Sequence, residues 1–372
     1  MTQTETRYEL SDSPYRSLLV VLGAGASHDN GHAPPRWNLP LAAGLFTQPE
    51  FMEAAFNYEE MGALLDDLKI ASQEGGIGIE RKLDEIQRDA ESIYPDALVE
   101  LMAVRYYLRH VTWVCSQEVA SSAAHGTTTA VLLRLLNRWR RAGPERSCSV
   151  VSFNYDTLLE RAASLVLGRD FRSMTDYLDE RGEWQFFKLH GSANWAQVII
   201  DGIGGDMYPS IKKVVRSAQS IKLSSTDFRI WDDNPQGNRA SHTSVEPGSG
   251  QQVAIAPAIA LPLISKATFV CPEQHVAAFR QQVQKFDALL VVGWRAQETY
   301  FLNELKPGRR VPTMVIGRNN GELVRRVLRE ENISGVGPVD SGFTKCVMQS
   351  GAEKSAIERF LSAPIETWSQ LG

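Results

Sequence analysis

Apolar residues along the chain gather into five short runs: Leu18 to Leu22, Ser149 to Phe153, Phe186 to Leu189, Ala288 to Val292 and Pro312 to Ile316. A weaker sixth spans Val253 to Ala256. The runs are continuous and rich in β-branched residues, the pattern of strands buried on both faces of a parallel sheet. The stretch between the first two is too long for an ordinary crossover. Its segments EEMGALLDDLKIAS, DALVELMAVRYYLRHVTWVCSQEVA and TTTAVLLRLLNRWRR repeat apolar residues every three or four positions, the period of amphipathic helices. From about Ala196 to Gly250, the turn-forming GIGGD, DDNPQGN and VEPGSG point to short strands and loops. Helical pieces around GELVRRVLREEN and EKSAIERFLSA follow the last run. The fold class predicted is α/β, a doubly wound parallel Rossmann-like sheet with an inserted helical module. The expected division is an N-terminal extension over 1–16, a Rossmann-type domain over 17–38 and 143–345, the helical module over 39–142, and a C-terminal helical segment over 346–372.

Several runs stop at turn-forming or polar residues: Gly23-Ala24-Gly25, Asn154-Tyr155-Asp156, His190-Gly191, Gly293-Trp294 and Gly317-Arg318-Asn319. In open parallel sheets the ligand crevice lies beyond the carboxyl ends of the strands, so these scattered endings are expected to converge. Gly23-Ala24-Gly25-Ala26-Ser27 lets the backbone turn tightly and approach a ligand. Its amides and the Ser27 hydroxyl suit a pyrophosphate, although the strict dinucleotide fingerprint has a third glycine where His28 stands. Asn154 and Asp156 precede the helix-like TLLERAASLVL and serve equally well as N-cap acceptors. His190 ends a strand, and an imidazole with an unperturbed pKa of about 6.5 suits a general base, although a lone histidine is more often a structural donor.

Composition narrows the function classes. Lys and Arg total 39 against 44 Asp and Glu, a net charge of −5, so no global field favours nucleic acid or an anionic membrane. No apolar run reaches the roughly 18 residues a membrane helix requires, and the polar start MTQTETRYELSDSPYR lacks the features of a secretory signal. A cytoplasmic protein is expected. Cys115, Cys148, Cys271 and Cys346 are far apart with no C-x-x-C pair, which argues against a zinc module or a disulfide framework.

Together GAGAS at 23–27, NYD at 154–156 and HG at 190–191 resemble the sirtuin superfamily, and Gly31, Pro35, Trp37, Leu39 and DALLVVGW at 287–294 extend the resemblance over roughly 17–320. The resemblance implies an NAD-binding Rossmann-type domain in which Gly23, Ala24, Gly25 and Ser27 cradle the diphosphate. It sets Asn154 and Asp156 by the nicotinamide ribose, His190 as catalytic base, Gly293 at the phosphates and Asn319 near the adenosine end. Trp37 is a candidate wall of the nicotinamide pocket. Sirtuins that deacylate proteins carry a four-cysteine zinc module after the His-Gly, whereas residues 192–270 contain no cysteine. The resemblance therefore points to the sirtuin-like NADases of prokaryotic antiphage defence, with NAD as substrate and no zinc. Trp294-Arg295 replaces the small hydroxyl residues usual after that strand's glycine; Arg295 either pairs with a phosphate or caps the sheet edge.

Unrestrained NAD cleavage harms the host, so control by homo-oligomer assembly or a separate partner is expected; a HerA-type hexameric ATPase is one arrangement the resemblance suggests. Two other readings stand: an NAD-dependent ADP-ribosyltransferase or deacylase, and a non-catalytic NAD or ADP-ribose sensor. Lesser candidates read as structural. His28 and His32 are four apart, but Gly31 and nearby prolines disfavour a helix to join them; His125-Gly126 precedes Asn154 and reads as a helix entry. Glu298 reads as a solvated helix-start carboxylate and Trp195 as packing.

Overall fold

The structure is a computed structural model describing residues 9–29, 38–123, 126–204, 209–232, 243–245, 252–264, 269–305, 311–318, 321–331, 333, 338–339, 342–348 and 354–362. Trp37 and Asn319 lie outside the described residues, as do Gly31, His32, Pro35 and His125. In chain order, β1 (Ser17–Leu22) runs into α1 (Ala24–His28). The helices α2 (Pro49–Ala55), α3 (Gly62–Ser72), α4 (Gly76–Ser92), α5 (Ala97–Ser122) and α6 (Thr128–Arg141) precede β2 (Ser147–Ser152). Then come α7 (Leu158–Leu167), β3 (Trp184–Lys188), β4 (Gly191–Asp201), α8 (Ile211–Arg216), β5 (Lys222–Ile230), β6 (Thr243–Val245) and β7 (Gln252–Ile259). The chain continues through α9 (Glu273–Gln282), β8 (Ala288–Val292), α10 (Thr299–Glu304), β9 (Thr313–Ile316), α11 (Gly321–Glu330), β10 (Pro338–Val339), α12 (Phe343–Val347) and α13 (Ala356–Ser362).

Among the described residues, six strands form an all-parallel sheet in the order β10-β9-β8-β1-β2-β3. Counted along the sheet, this is the doubly wound 3-2-1-4-5-6 arrangement, with β8 as the fourth strand. Strand order reverses between β1 and β8, and ligands of such sheets bind in the crevice beyond that switch point. The five strong runs supply β1, β2, β3, β8 and β9. Leu18, Leu19, Val20 and Val21 are fully buried, as continuous runs require when both faces are covered.

The sixth run belongs to a different sheet. β7 pairs antiparallel with β4 and β6, in a second sheet of order β5-β4-β7-β6. Its continuous apolar character reflects burial on both faces: Ala254, Ile255 and Ala256 all join the second core, and only Ala258, beyond the run, joins the core of the parallel sheet. A run without alternation reports double burial, not strand direction. The second core also takes in side chains from Leu39 to Val119, so the helices α2 to α5 pack over the antiparallel sheet. In contrast, α6 contributes Leu132, Leu133, Leu136 and Trp139 to the core of the parallel sheet. The stretch expected as short strands and loops is more regular at its start, where β4 runs eleven residues from the end of β3.

The four cysteines are buried free thiols. No described helix is long and apolar enough to cross a membrane.

Candidate active site

The carboxyl ends of β1 and β8 meet backbone against backbone. Gly23 N donates to Val292 O at 2.9 Å and Gly25 N to Gly293 O at 3.0 Å. A Cβ on Gly23 would lie 2.5 Å from Trp294 Cα, and one on Gly293 would lie 2.3 Å from Ala26 N. Gly293 also has φ of +60°, which L side chains rarely adopt. Glycines therefore stand here because two turns share one space, at the point where the sheet reverses its order.

The end of β2 is tied into the same turn by side chains. Asn154 Nδ2 donates to Gly23 O at 2.9 Å and to Ser27 Oγ at 2.6 Å, and Ser27 Oγ donates to Asp156 Oδ2 at 2.5 Å. The other carboxylate oxygen, Oδ1, accepts the Leu158 amide at 3.0 Å, so Asp156 also caps the entry to α7. Ser27 thus accepts from one side chain and donates to another, its hydroxyl engaged within the protein. Asn154 Oδ1 is buried and has no hydrogen-bond partner among the described residues. An orphaned buried acceptor costs about 1–3 kcal/mol, and a ligand hydroxyl is a group that would satisfy it.

Beneath this turn lies a buried ion pair. Lys188, fully buried, holds Glu160 at 3.1 Å and donates to Asp156 O. Glu160 also accepts from Tyr177 OH at 2.9 Å and Ser192 Oγ at 3.3 Å. Burial, together with the Glu160 charge, pushes the Tyr177 phenol well above its ordinary value, so it stays a donor. This network fixes the turn carrying Asn154 and Asp156 to the end of β3.

His190 sits in the junction where the chain leaves β3 for β4 and changes sheets. Gly191, with φ of +79°, makes that change possible: a Cβ there would lie 1.8 Å from Ala258 O. The imidazole is 1% exposed and packs on Phe153, ring centroids 4.8 Å apart. Phe153 in turn stacks on Trp294 at 5.6 Å, so one aromatic ring links the ends of β2, β3 and β8. His190 Nε2 is 2.5 Å from Tyr300 OH, on α10. Burial raises the Tyr300 phenol far above its ordinary value, with the Glu298 carboxylate adding to the effect. Tyr300 also lines a cavity of about 390 Å³ with Phe269, Cys271, Val276, Arg280 and Glu304.

Arg295 forms an ion pair with Glu80 of α4, linking the end of β8 to the helical module. Trp294 Nε1 donates to Glu298 Oε2 at 2.6 Å, so this carboxylate has a protein partner. Trp195 is fully buried and donates to Tyr177 OH at 2.9 Å. His28 Nδ1 lies 2.9 Å from Leu39 O. Among the described residues there is no group of three or more His, Cys, Asp or Glu placed to hold a metal ion.

Of the residues singled out from the sequence, Gly23, Ala24, Gly25, Ser27, Asn154, Asp156, His190, Gly293 and Arg295 lie on adjoining strand ends and turns. Tyr300, Lys188 and Glu160 were missed. Tyr300 follows the end of a core strand by eight residues, a position from which a helix reaches back over the crevice, and that placement was the available signal.

No family model and no curated protein matches the chain. Solved structures do match. A Sir2 homologue in complex with NAD shares 11% identity, covering 95% of this chain and 91% of that one, with a TM-score of 0.44. A serine-to-alanine variant of a Sir2 homologue with ADP-ribose shares 11% identity over 94% of each chain, with a TM-score of 0.45.

Proposed function

We propose that the chain is an NAD hydrolase that cleaves the bond between nicotinamide and ribose, releasing nicotinamide and ADP-ribose. The observation that carries the reading is the meeting of Gly23–Gly25, Gly293, Asn154 and Asp156 at the switch point of a 3-2-1-4-5-6 sheet, with the buried Asn154 Oδ1 lacking a protein donor. A diphosphate lies against the glycine turns, and the nicotinamide ribose offers a hydroxyl to Asn154. The domain over 17–38 and 143–345 holds the nucleotide in this reading, with Trp37 and Asn319 assigned to it from the sequence alone. Arg295 contributes charge on the phosphate side if it leaves Glu80 for the ligand.

Nicotinamide leaves a pyridinium as a neutral amine, so no strong general acid is needed. The glycosidic bond breaks with its electron pair passing to the nicotinamide nitrogen, leaving an oxocarbenium-like ribose. A water oxygen then bonds to the anomeric carbon, and the proton it loses passes to His190 as the base. Asn154 orients the reacting ribose through its amide, and the aromatic wall of Phe153 and Trp294 excludes bulk water.

The cellular role we assign is NAD depletion in antiphage defence, in the cytoplasm, under the control of assembly or a separate partner such as a HerA-type ATPase. The test of the chemistry is product analysis of the full chain with NAD by mass spectrometry. Equal amounts of nicotinamide and free ADP-ribose are expected. Nicotinamide with ADP-ribose retained on a protein or acyl acceptor would assign a transferase, and tight NAD binding without turnover would assign a sensor.

A further inference from the structure

We propose that Tyr300 is the positioning residue of His190: its hydroxyl donates to Nε2, holds the imidazole as the tautomer protonated at Nδ1, and relays protons between that nitrogen and the adjoining cavity. Three observations converge on this role. The Nε2 to hydroxyl distance is 2.5 Å, within the range of a strong hydrogen bond. His190 is 1% exposed and pressed against Phe153, so Nε2 reaches solvent through the hydroxyl and not directly. Tyr300 itself lines the cavity of about 390 Å³, large enough for several waters, and its ring is held by Phe269 at 4.7 Å.

Burial keeps the phenol protonated across the neutral range, so its proton is there to be donated to His190 Nε2. The relay then balances without any further reagent. A water proton in the cavity passes to the Tyr300 oxygen as the phenolic proton passes to His190 Nε2. The imidazolium later returns its proton by the same route, and Tyr300 ends unchanged. In the hydrolase reading, on which the catalytic half of this inference rests, the water so deprotonated is the one that attacks the ribose.

The test uses the full-length chain and its Tyr300→Phe variant, in which the ring and its packing remain. Histidine-selective nitrogen-15 spectra, with His190 assigned by its loss in His190→Gln, report the tautomer directly. In wild type the expected pattern is a protonated Nδ1 and an acceptor Nε2. In Tyr300→Phe the Nε2 resonance is expected to move and the tautomers to mix. Unchanged His190 resonances in the variant would overturn the positioning role. With NAD, kcat is expected to fall about 100-fold with KM within about 2-fold, the scale of a lost proton-transfer group. An unaltered kcat would overturn the relay. If wild type releases no nicotinamide, the hydrolase reading fails, and the spectra still decide whether Tyr300 sets the state of His190.

Discussion

Replacing Gly293 by alanine tests the geometry of the crevice through two separable costs. The first is conformational, because φ at Gly293 is +60° and a left-handed residue with a Cβ costs about 1–2 kcal/mol. The second is steric. The new Cβ would stand 2.3 Å from Ala26 N and 2.5 Å from Gly25 C, both backbone atoms, so the two turns must part; overpacking of this kind costs about 1–3 kcal/mol. The expected loss is about 2–5 kcal/mol, a large part of the roughly 5–15 kcal/mol that stabilises ordinary proteins. Two further substitutions isolate the terms. At Gly168, φ is +65° with no atom within 4 Å of an added Cβ, so Gly168→Ala pays only the conformational term. At Gly23 no positive φ is involved, but the Cβ meets Trp294 Cα at 2.5 Å and Gly293 O at 2.6 Å, so Gly23→Ala carries only the steric term. Urea unfolding of the three variants gives the stability order, with Gly293→Ala the most destabilised. Calorimetric titration with ADP-ribose is expected to show weakened binding for Gly23→Ala and Gly293→Ala and wild-type binding for Gly168→Ala. Gly23→Ala with unaltered stability and binding would refute the claim that these turns share one space at the ligand site.

Other outcomes follow from the buried polar groups. Lys188→Met leaves the Glu160 carboxylate buried without its cation and is expected to destabilise by about 3–5 kcal/mol, whereas adding Glu160→Gln restores at least half of that loss; urea unfolding of the single and double variants checks this, and a double variant no better than the single contradicts it. His110 and His275 are both pushed down to about 4, chiefly by burial, with the Arg109 charge assisting at His110. In the unfolded chain both return to about 6.5, so stability is complete above that pH and is lost as pH falls from there toward 4, by an order of about 3 kcal/mol for each histidine. Unfolding midpoints measured from pH 7.5 down to 4.5 are expected to fall, and to fall less steeply in His275→Gln; a flat profile contradicts the neutral burial of these rings.

Much of the parallel sheet was legible because double burial writes itself as continuous apolar runs, and the sheet's strand ends were legible because Gly, Asn, Asp and His interrupt those runs abruptly. The local rule that Asp156 serves the start of a helix holds for one carboxylate oxygen, which accepts the Leu158 amide, while the other takes the Ser27 hydroxyl, a partner 129 positions away that no local rule supplies. What the pattern hid were relations across long separations. Val253 to Ala256 looks like its parallel counterparts because burial on two faces erases the alternation that marks antiparallel strands. Lys188 and Glu160 carry no local signal of pairing, yet they neutralise each other in the interior. Arg295 was weighed against phosphate or the sheet edge, and its ion-pair partner in the structure is Glu80, 215 positions away on a helix of the inserted module. Tyr300 carries no motif and is found only when α10 is folded against His190.

The most direct test of the central claim is the rate of nicotinamide release from NAD by the full chain, compared with Asn154→Ala and His190→Ala at matched folding. Wild-type turnover with losses of about 100-fold or more in each variant is expected, as removal of an orienting amide and of a general base requires. Full turnover in either variant would contradict the account.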